Sequence, residues 1–129
     1  MTPPTAWAHL PNAKHIDAVL ADVKARPEVW AAAGPAAWAA AGRAMLEAAR
    51  QAAQEAAREA IRAAAREAIR AVAWDAAWGP VVALIAWDSA ADLLDLSADA
   101  LRTLIVTAPE PVKYQAALLL PWAIVRETT

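Results

Sequence analysis

The chain contains no cysteine and no phenylalanine, and only 3 of its 129 residues are glycine. Without cysteine, neither a disulfide framework nor a thiolate metal site can form. The scarcity of glycine and of alternating β-branched residues argues against hairpins and sandwiches and favours helices. A chain of this length normally builds one core, so we expect residues 1–129 to form a single all-helical domain.

The sequence also lacks an excess of one charge and any long apolar run. Its 12 basic and 14 acidic side chains leave a net charge of -2, whereas general nucleic-acid and anionic-membrane binders depend on a cationic excess. Its apolar stretches, such as 76–87 and 114–125, are shorter than the ~20 residues that span a bilayer. No basic region precedes an apolar segment at the N-terminus, so we expect no secretory signal, no membrane partner and a cytoplasmic protein.

What the chain has instead is alanine, which is the best helix former but contributes little to burial. The first helix is marked by larger residues, since Ile16, Val19 and Val23 recur at helical spacing between Pro11 and Pro27. A short further turn should close at Gly34. These N-terminal helices occupy residues 11–33.

Two further segments complete the predicted fold. From residue 35 to 78 only Gly42 interrupts the helical pattern, which predicts one long Ala-rich helix of about 65 Å, with Gly42 as the position where it could divide. The Leu-rich residues 80–126 predict three shorter helices, one capped by Ser97 and the last kinked or ended by Pro121. We therefore expect an irregular all-α bundle.

Residues 33–80 repeat with a period of eight, which suits neither the heptad nor the 11-residue coiled coil. On a helical wheel the alanines of the middle octads share one face, on which another helix can pack closely. This alanine seam consists of Ala49, Ala52, Ala53, Ala56, Ala57, Ala60 and Ala64. It is a candidate helix–helix interface, within the fold or across a homodimer; the alternative is a solvated helix supported by charge pairs such as Arg43 with Glu47.

Two series of like charges recur at helical spacing. The arginine stripe could present guanidinium groups to phosphates, although glutamates among its members oppose this and argue against a nucleic-acid partner. It consists of Arg58, Arg62, Arg66 and Arg70. The acidic row lacks the glycine turn and the closing glutamate of a calcium loop, which favours a solvated helix face. It consists of Asp88, Asp92, Asp95 and Asp99.

Other candidate chemistry is sparse. His9 and His15 lack the converging ligands that zinc needs, and neither Ser89 nor Ser97 has a recognisable base. No glycine-rich phosphate loop is present. The sequence therefore predicts no catalytic, cofactor-binding or metal residue, no cofactor and no small-molecule ligand, so we do not expect an enzyme.

The segments AWDAAW (73–78), ALIAWDSAADLLDLSADALRTLI (83–105) and VKYQAALLLPWAIV (112–125) resemble a set of uncharacterised Ala/Trp/Asp-rich octad-repeat proteins of bacteria and phages. There, WDAARDAA-like octads precede a Leu-rich tail, and the resemblance implies no activity, cofactor or catalytic residue. The middle octads of this chain use Arg-Glu and Ile instead of Trp-Asp, which is the vocabulary of engineered helices. An engineered or computationally generated relative is therefore an open alternative.

These features predict a non-enzymatic helical scaffold, natural or generated, with no evolved activity required. One alternative is a homo-oligomerising or protein-interaction module of bacterial or phage origin that packs through the alanine seam. A second is a weak phosphate or nucleic-acid binder that uses the arginine stripe.

Overall fold

The computed structural model describes residues 7–56 and 77–128. Within those ranges the chain forms six α-helices, one 3-10 helix and no strand, which confirms the predicted all-α bundle. The elements are α1 (Ala13–Ala25), α2 (Pro27–Ala41), α3 (Arg43–Ala56), α4 (Trp78–Ala86), a 3-10 helix (Asp88–Leu93), α5 (Ala98–Thr107) and α6 (Val112–Glu127). No helix in the described ranges is both long and apolar enough to cross a bilayer.

Helix α6 lies at the centre of the fold, because α2, α3, α4 and α5 all pack against it. Its residues from Tyr114 to Pro121 are all buried, and the three consecutive leucines Leu118, Leu119 and Leu120 have no exposed surface. A helix that is buried on every side must be apolar around its whole circumference. The sequence YQAALLLP supplies that at every position except Gln115, and this segment becomes the axis of the core.

The surrounding helices bury one face each, in keeping with their sequence patterns. Helix α1 begins after Asn12 and ends at Ala25, where the sequence predicted it, and it buries Ile16 and Val19. Helix α5 buries Leu101 and Ile105. The exception is α4, in which every residue from 79 to 86 is buried, so that it acts as a second internal helix.

The predicted long helix is divided at Gly42, and its expected start at residue 35 is wrong. Helix α2 runs through Gly34 and Pro35 to Ala41, and α3 begins at Arg43. Gly42 has a φ of 53°, a left-handed conformation that suits glycine because it has no Cβ. Pro35 costs α2 one hydrogen bond, but the helix continues because its opposite face is anchored in the core.

The other helix breakers also act differently from expectation. Gly79 and Pro80 lie in the first turn of α4, where the missing N–H of proline has no intrahelical partner to lose. The expected helix from residue 80 divides at Trp87, whose extended backbone separates α4 from the 3-10 helix. Pro121 does not end α6, which continues to Glu127, because the residues on both sides of it are held by packing.

The N-terminus of α5 is capped from two directions. The Ser97 hydroxyl accepts a hydrogen bond from the Ala100 N–H at 3.1 Å, which confirms the predicted cap. The Glu127 carboxylate, at the end of α6, accepts one from the Ala98 N–H at 3.1 Å. The negative charge of Glu127 also complements the positive end of the α5 dipole. The cap therefore ties the antiparallel pair α5–α6 together at one end.

Gly79 marks a close approach of α4 to the backbone of α6, and it generates a first prediction. A Cβ at this position would lie 2.7 Å from the Leu118 carbonyl oxygen, which is backbone and cannot rotate away. We expect Gly79→Ala to lower the free energy of unfolding by about 1–3 kcal/mol through overpacking, measured by urea denaturation. Ala21→Ser, a substitution at an exposed site on α1, should change it by less than about 0.5 kcal/mol. Equal stabilities would contradict the close approach.

Candidate interaction surface

Helix α2 is built from a segment without charge. Every residue from 29 to 42 is uncharged, while Glu28 and Arg43 stand at its two ends. One face of the helix packs into the fold through Trp30 and the three alanines Ala33, Ala37 and Ala41. The Trp30 ring lies 6.2 Å, between centroids, from that of Trp122 on α6, so a pair of tryptophans anchors α2 to the central helix.

The opposite side of α2 faces solvent although it has no polar side chain. We call it the exposed face of α2, and it consists of Ala31, Ala32, Pro35, Ala36, Trp38, Ala39 and Ala40. Trp38 is 49% exposed. The outward face of a surface helix normally carries charged or polar residues, and contiguous apolar surface typically marks an interaction site. Tryptophan is in addition enriched at the anchor positions of protein interfaces.

The orientation of α2 is set by a polar cluster at its start, which we call the Asp22 cluster and which consists of Asp22 with its partners Arg26 and Trp30. Asp22, near the end of α1, accepts hydrogen bonds from the Trp30 Nε1–H at 2.7 Å and from Arg26 Nη2 at 3.0 Å. Arg26, between α1 and α2, also donates to the carbonyl oxygens of Val125 at 3.4 Å and Thr128 at 3.3 Å. These contacts hold the Trp30 ring inward. Trp38 follows eight residues later, about 80° further round the helix, and is half exposed.

Other buried polar side chains also join separate elements. Asn12 donates from Nδ2 to the carbonyl oxygens of Leu84 at 2.9 Å, Asp88 at 3.1 Å and Trp87 at 3.3 Å, at the end of α4. Gln115, on α6, donates to the Ser89 hydroxyl at 3.2 Å. In the described part of the chain every fully buried side-chain nitrogen and oxygen has a hydrogen-bond partner. These groups therefore serve the packing of the helices.

The structure divides the alanine seam between three environments. Ala52 is fully buried, Ala49 is half-buried and Ala53 is exposed. Ala56 ends α3, and the remaining members, Ala57, Ala60 and Ala64, lie outside the described residues. The face of α3 that meets the fold also includes Met45 and Ala48. The buried face of α3 therefore begins before the alanine seam and includes a larger side chain.

The remaining candidate residues bring no site together. All four aspartates of the acidic row are exposed, as expected for a solvated face, and the arginine stripe lies outside the described residues. His9 is exposed and His15 half-buried. Residues 7–56 and 77–128 contain no cluster of three or more potential metal ligands among His, Cys, Asp and Glu. Glu47 lies 3.9 Å from Arg50, not in the predicted pair with Arg43.

The exposed face of α2 was not predicted from the sequence, because the octad pattern of residues 33–80 overlaps it. A signal was nevertheless present. The run from 29 to 42 is longer than the apolar stretches considered above and contains two tryptophans eight residues apart. Eight residues turn a helix by about 80° beyond two full turns, so the two rings point in different directions. One ring can therefore be buried while the other faces outward.

No protein-family model matches the chain, and neither a curated protein nor a solved structure matches it. The resemblance to Ala/Trp/Asp-rich octad-repeat proteins therefore stays a prediction.

The Asp22 cluster generates a second prediction. Asp22→Ala would leave the buried Trp30 N–H without an acceptor and Arg26 without its carboxylate, so we expect the free energy of unfolding to fall by about 1–3 kcal/mol. The matched control is Asp99→Ala, which removes an exposed pair with Arg102 and should cost no more than about 1 kcal/mol. Urea denaturation measures both. Equal losses would show that Asp22 does not hold α2 in place.

Tyr114, in the first turn of α6, is the single tyrosine of the chain. Its hydroxyl donates to the Glu110 carboxylate at 2.6 Å. This hydrogen bond raises the pKa of Tyr114 from 10.0 to about 12, helped by burial and by the negative charges of Glu110 and Glu47. The neutral phenol is therefore the form that the fold stabilises.

A third prediction follows from this shift. Because the pKa of Tyr114 is higher in the folded chain than in the unfolded chain, its contribution to stability is complete below about pH 10 and is lost as pH rises toward 12. Tyr114→Phe should remove that part of the alkaline loss, as measured by urea denaturation at pH 8 to 12. Absorbance of the phenolate should give a midpoint near 12 for the folded protein, and a midpoint near 10 would contradict the assignment.

Proposed function

We propose that this chain is a non-catalytic helical scaffold that acts by self-association, with the exposed face of α2 as its interface. The observation that carries the proposal is Trp38, which is 49% exposed on a helical surface that has no charge between Glu28 and Arg43. A second protein surface would cover the ring and the alanines around it together. Removing apolar surface from water contributes about 25 cal/mol per Å².

The small residues of the face also suit helix packing. Alanine side chains allow two helix axes to approach to the short end of the usual 8–10 Å range. Helix α2 has 15 residues and is therefore about 22 Å long, which limits the area that one face can bury. Stable interfaces bury about 800 Å² on each partner. We therefore expect association that depends on protein concentration, not a permanent dimer.

A second copy of the chain is the partner that the present observations favour. The Arg-Glu pattern of the middle octads supports a generated scaffold. A generated protein has no evolved partner, which leaves a second copy of the same chain. The alanine seam is a less favourable interface than α2 in the described part of the chain, because Ala52 already packs inside the fold. No observation on the described residues favours phosphate binding.

The proposal predicts that the solution mass depends on Trp38. Wild type should show a mass that rises with concentration in sedimentation equilibrium, whereas Trp38→Glu should stay at the monomer mass of 13.6 kDa, because it places a charge in the interface. Val106→Glu is the matched control, since Val106 is 78% exposed on α5. It should associate like wild type.

Either of two results would overturn the proposal. One is a wild-type protein that stays monomeric up to millimolar concentration. The other is a Trp38→Glu variant that associates as strongly as wild type. Because Trp38 is half exposed, its replacement should leave the unfolding midpoint nearly unchanged, and a measured midpoint separates loss of association from loss of fold.

A further inference from the structure

The two ends of the exposed face carry opposite charges. Glu28 lies in the first turn of α2, and Arg43 is the first residue after Gly42. Both side chains are exposed, and neither forms an ion pair within the described residues. Between them the helix surface is uncharged. Along the chain, the exposed face is therefore preceded by a negative side chain, is uncharged along its length and is followed by a positive side chain.

We propose that two copies of the chain pair through α2 in antiparallel orientation, with Glu28 of each copy opposite Arg43 of the other. This inference rests on the proposed self-association and adds its geometry. An antiparallel pair forms two ion pairs of opposite charge at the rim, whereas a parallel pair sets Glu28 against Glu28 and Arg43 against Arg43. Like charges that face each other oppose association, so the charge pattern selects one orientation.

The arrangement is self-complementary, as a two-fold interface between identical chains requires. Its axis would cross α2 midway between Glu28 and Arg43, which is between Pro35 and Ala36. Trp38 of each copy then lies beside the 31–35 segment of the other copy, where alanine and proline leave room for its ring. The dipoles of the two helices also oppose each other in this orientation, which is favourable.

The first test reverses the charges and measures the dimer dissociation constant by sedimentation equilibrium. Because of the symmetry, each single substitution changes two contacts. We expect Glu28→Arg and Arg43→Glu each to weaken association about tenfold, and the double variant to recover wild-type affinity. Lys24→Glu, an exposed charge reversal on α1, controls for net charge and should have no comparable effect.

The second test uses the absence of cysteine from the chain, since single cysteines can be introduced and oxidised. Around the proposed axis, Ala36→Cys lies close to its own symmetry copy and should cross-link with itself. Ala32→Cys and Ala39→Cys each lie about 10 Å along the helix from their own copies, too far for a disulfide. Those two variants should cross-link only when they are mixed.

The outcomes separate the two proposals. Self-cross-linking of all three cysteine variants would mean parallel helices and would overturn the antiparallel arrangement. So would association that is insensitive to both single charge reversals. In either case, the proposed self-association through α2 would still hold if the mass of the wild type rises with concentration and the Trp38→Glu variant stays monomeric. A wild-type chain that never associates would overturn both proposals.

Discussion

The burial of α6 on every side between Tyr114 and Pro121 is the constraint on which the rest of the structure depends. Its three consecutive leucines point in three directions around the helix, so neighbours are needed on every side, and α2, α3, α4 and α5 supply them. The last turn is held by Arg26, which binds two carbonyl oxygens there, while Glu127 caps α5. The helix is thus fixed by apolar contacts along its length and by polar contacts at its end.

This central position explains where small residues are required. Gly79 allows the backbone of α4 to approach that of α6 at Leu118, and Ala48 and Ala52 bring α3 close to the same core. Small side chains shorten the distance between helices but bury little surface per residue. A chain so rich in alanine therefore concentrates its stabilising area in a few large side chains, above all Trp30 and the leucines of α6.

The same composition accounts for the exposed face of α2. Alanine sustains a helix through its intrinsic propensity, without needing a partner on both sides. The Asp22 cluster and Trp30 commit one side of α2 to the core. The other side consequently faces solvent with Trp38 and no charge. The feature that supports association is therefore a consequence of how α2 is anchored.

Local signals in the sequence were sufficient for the helical class, for the bounds of α1 and for the Ser97 cap, because each depends on residues within one or two turns. They failed at Pro35, and Pro121 does not end α6, because a local cost of about 3 kcal/mol is outweighed by packing along the whole helix. Periodicity can show that alanines share a face, but it does not show which face meets the core. The burial of Ala52, the exposure of Ala53 and the outward position of Trp38 were decided by the pairing of Trp30 with Trp122 and by the packing of α3 on α6, because such long-range contacts exist only in the folded bundle.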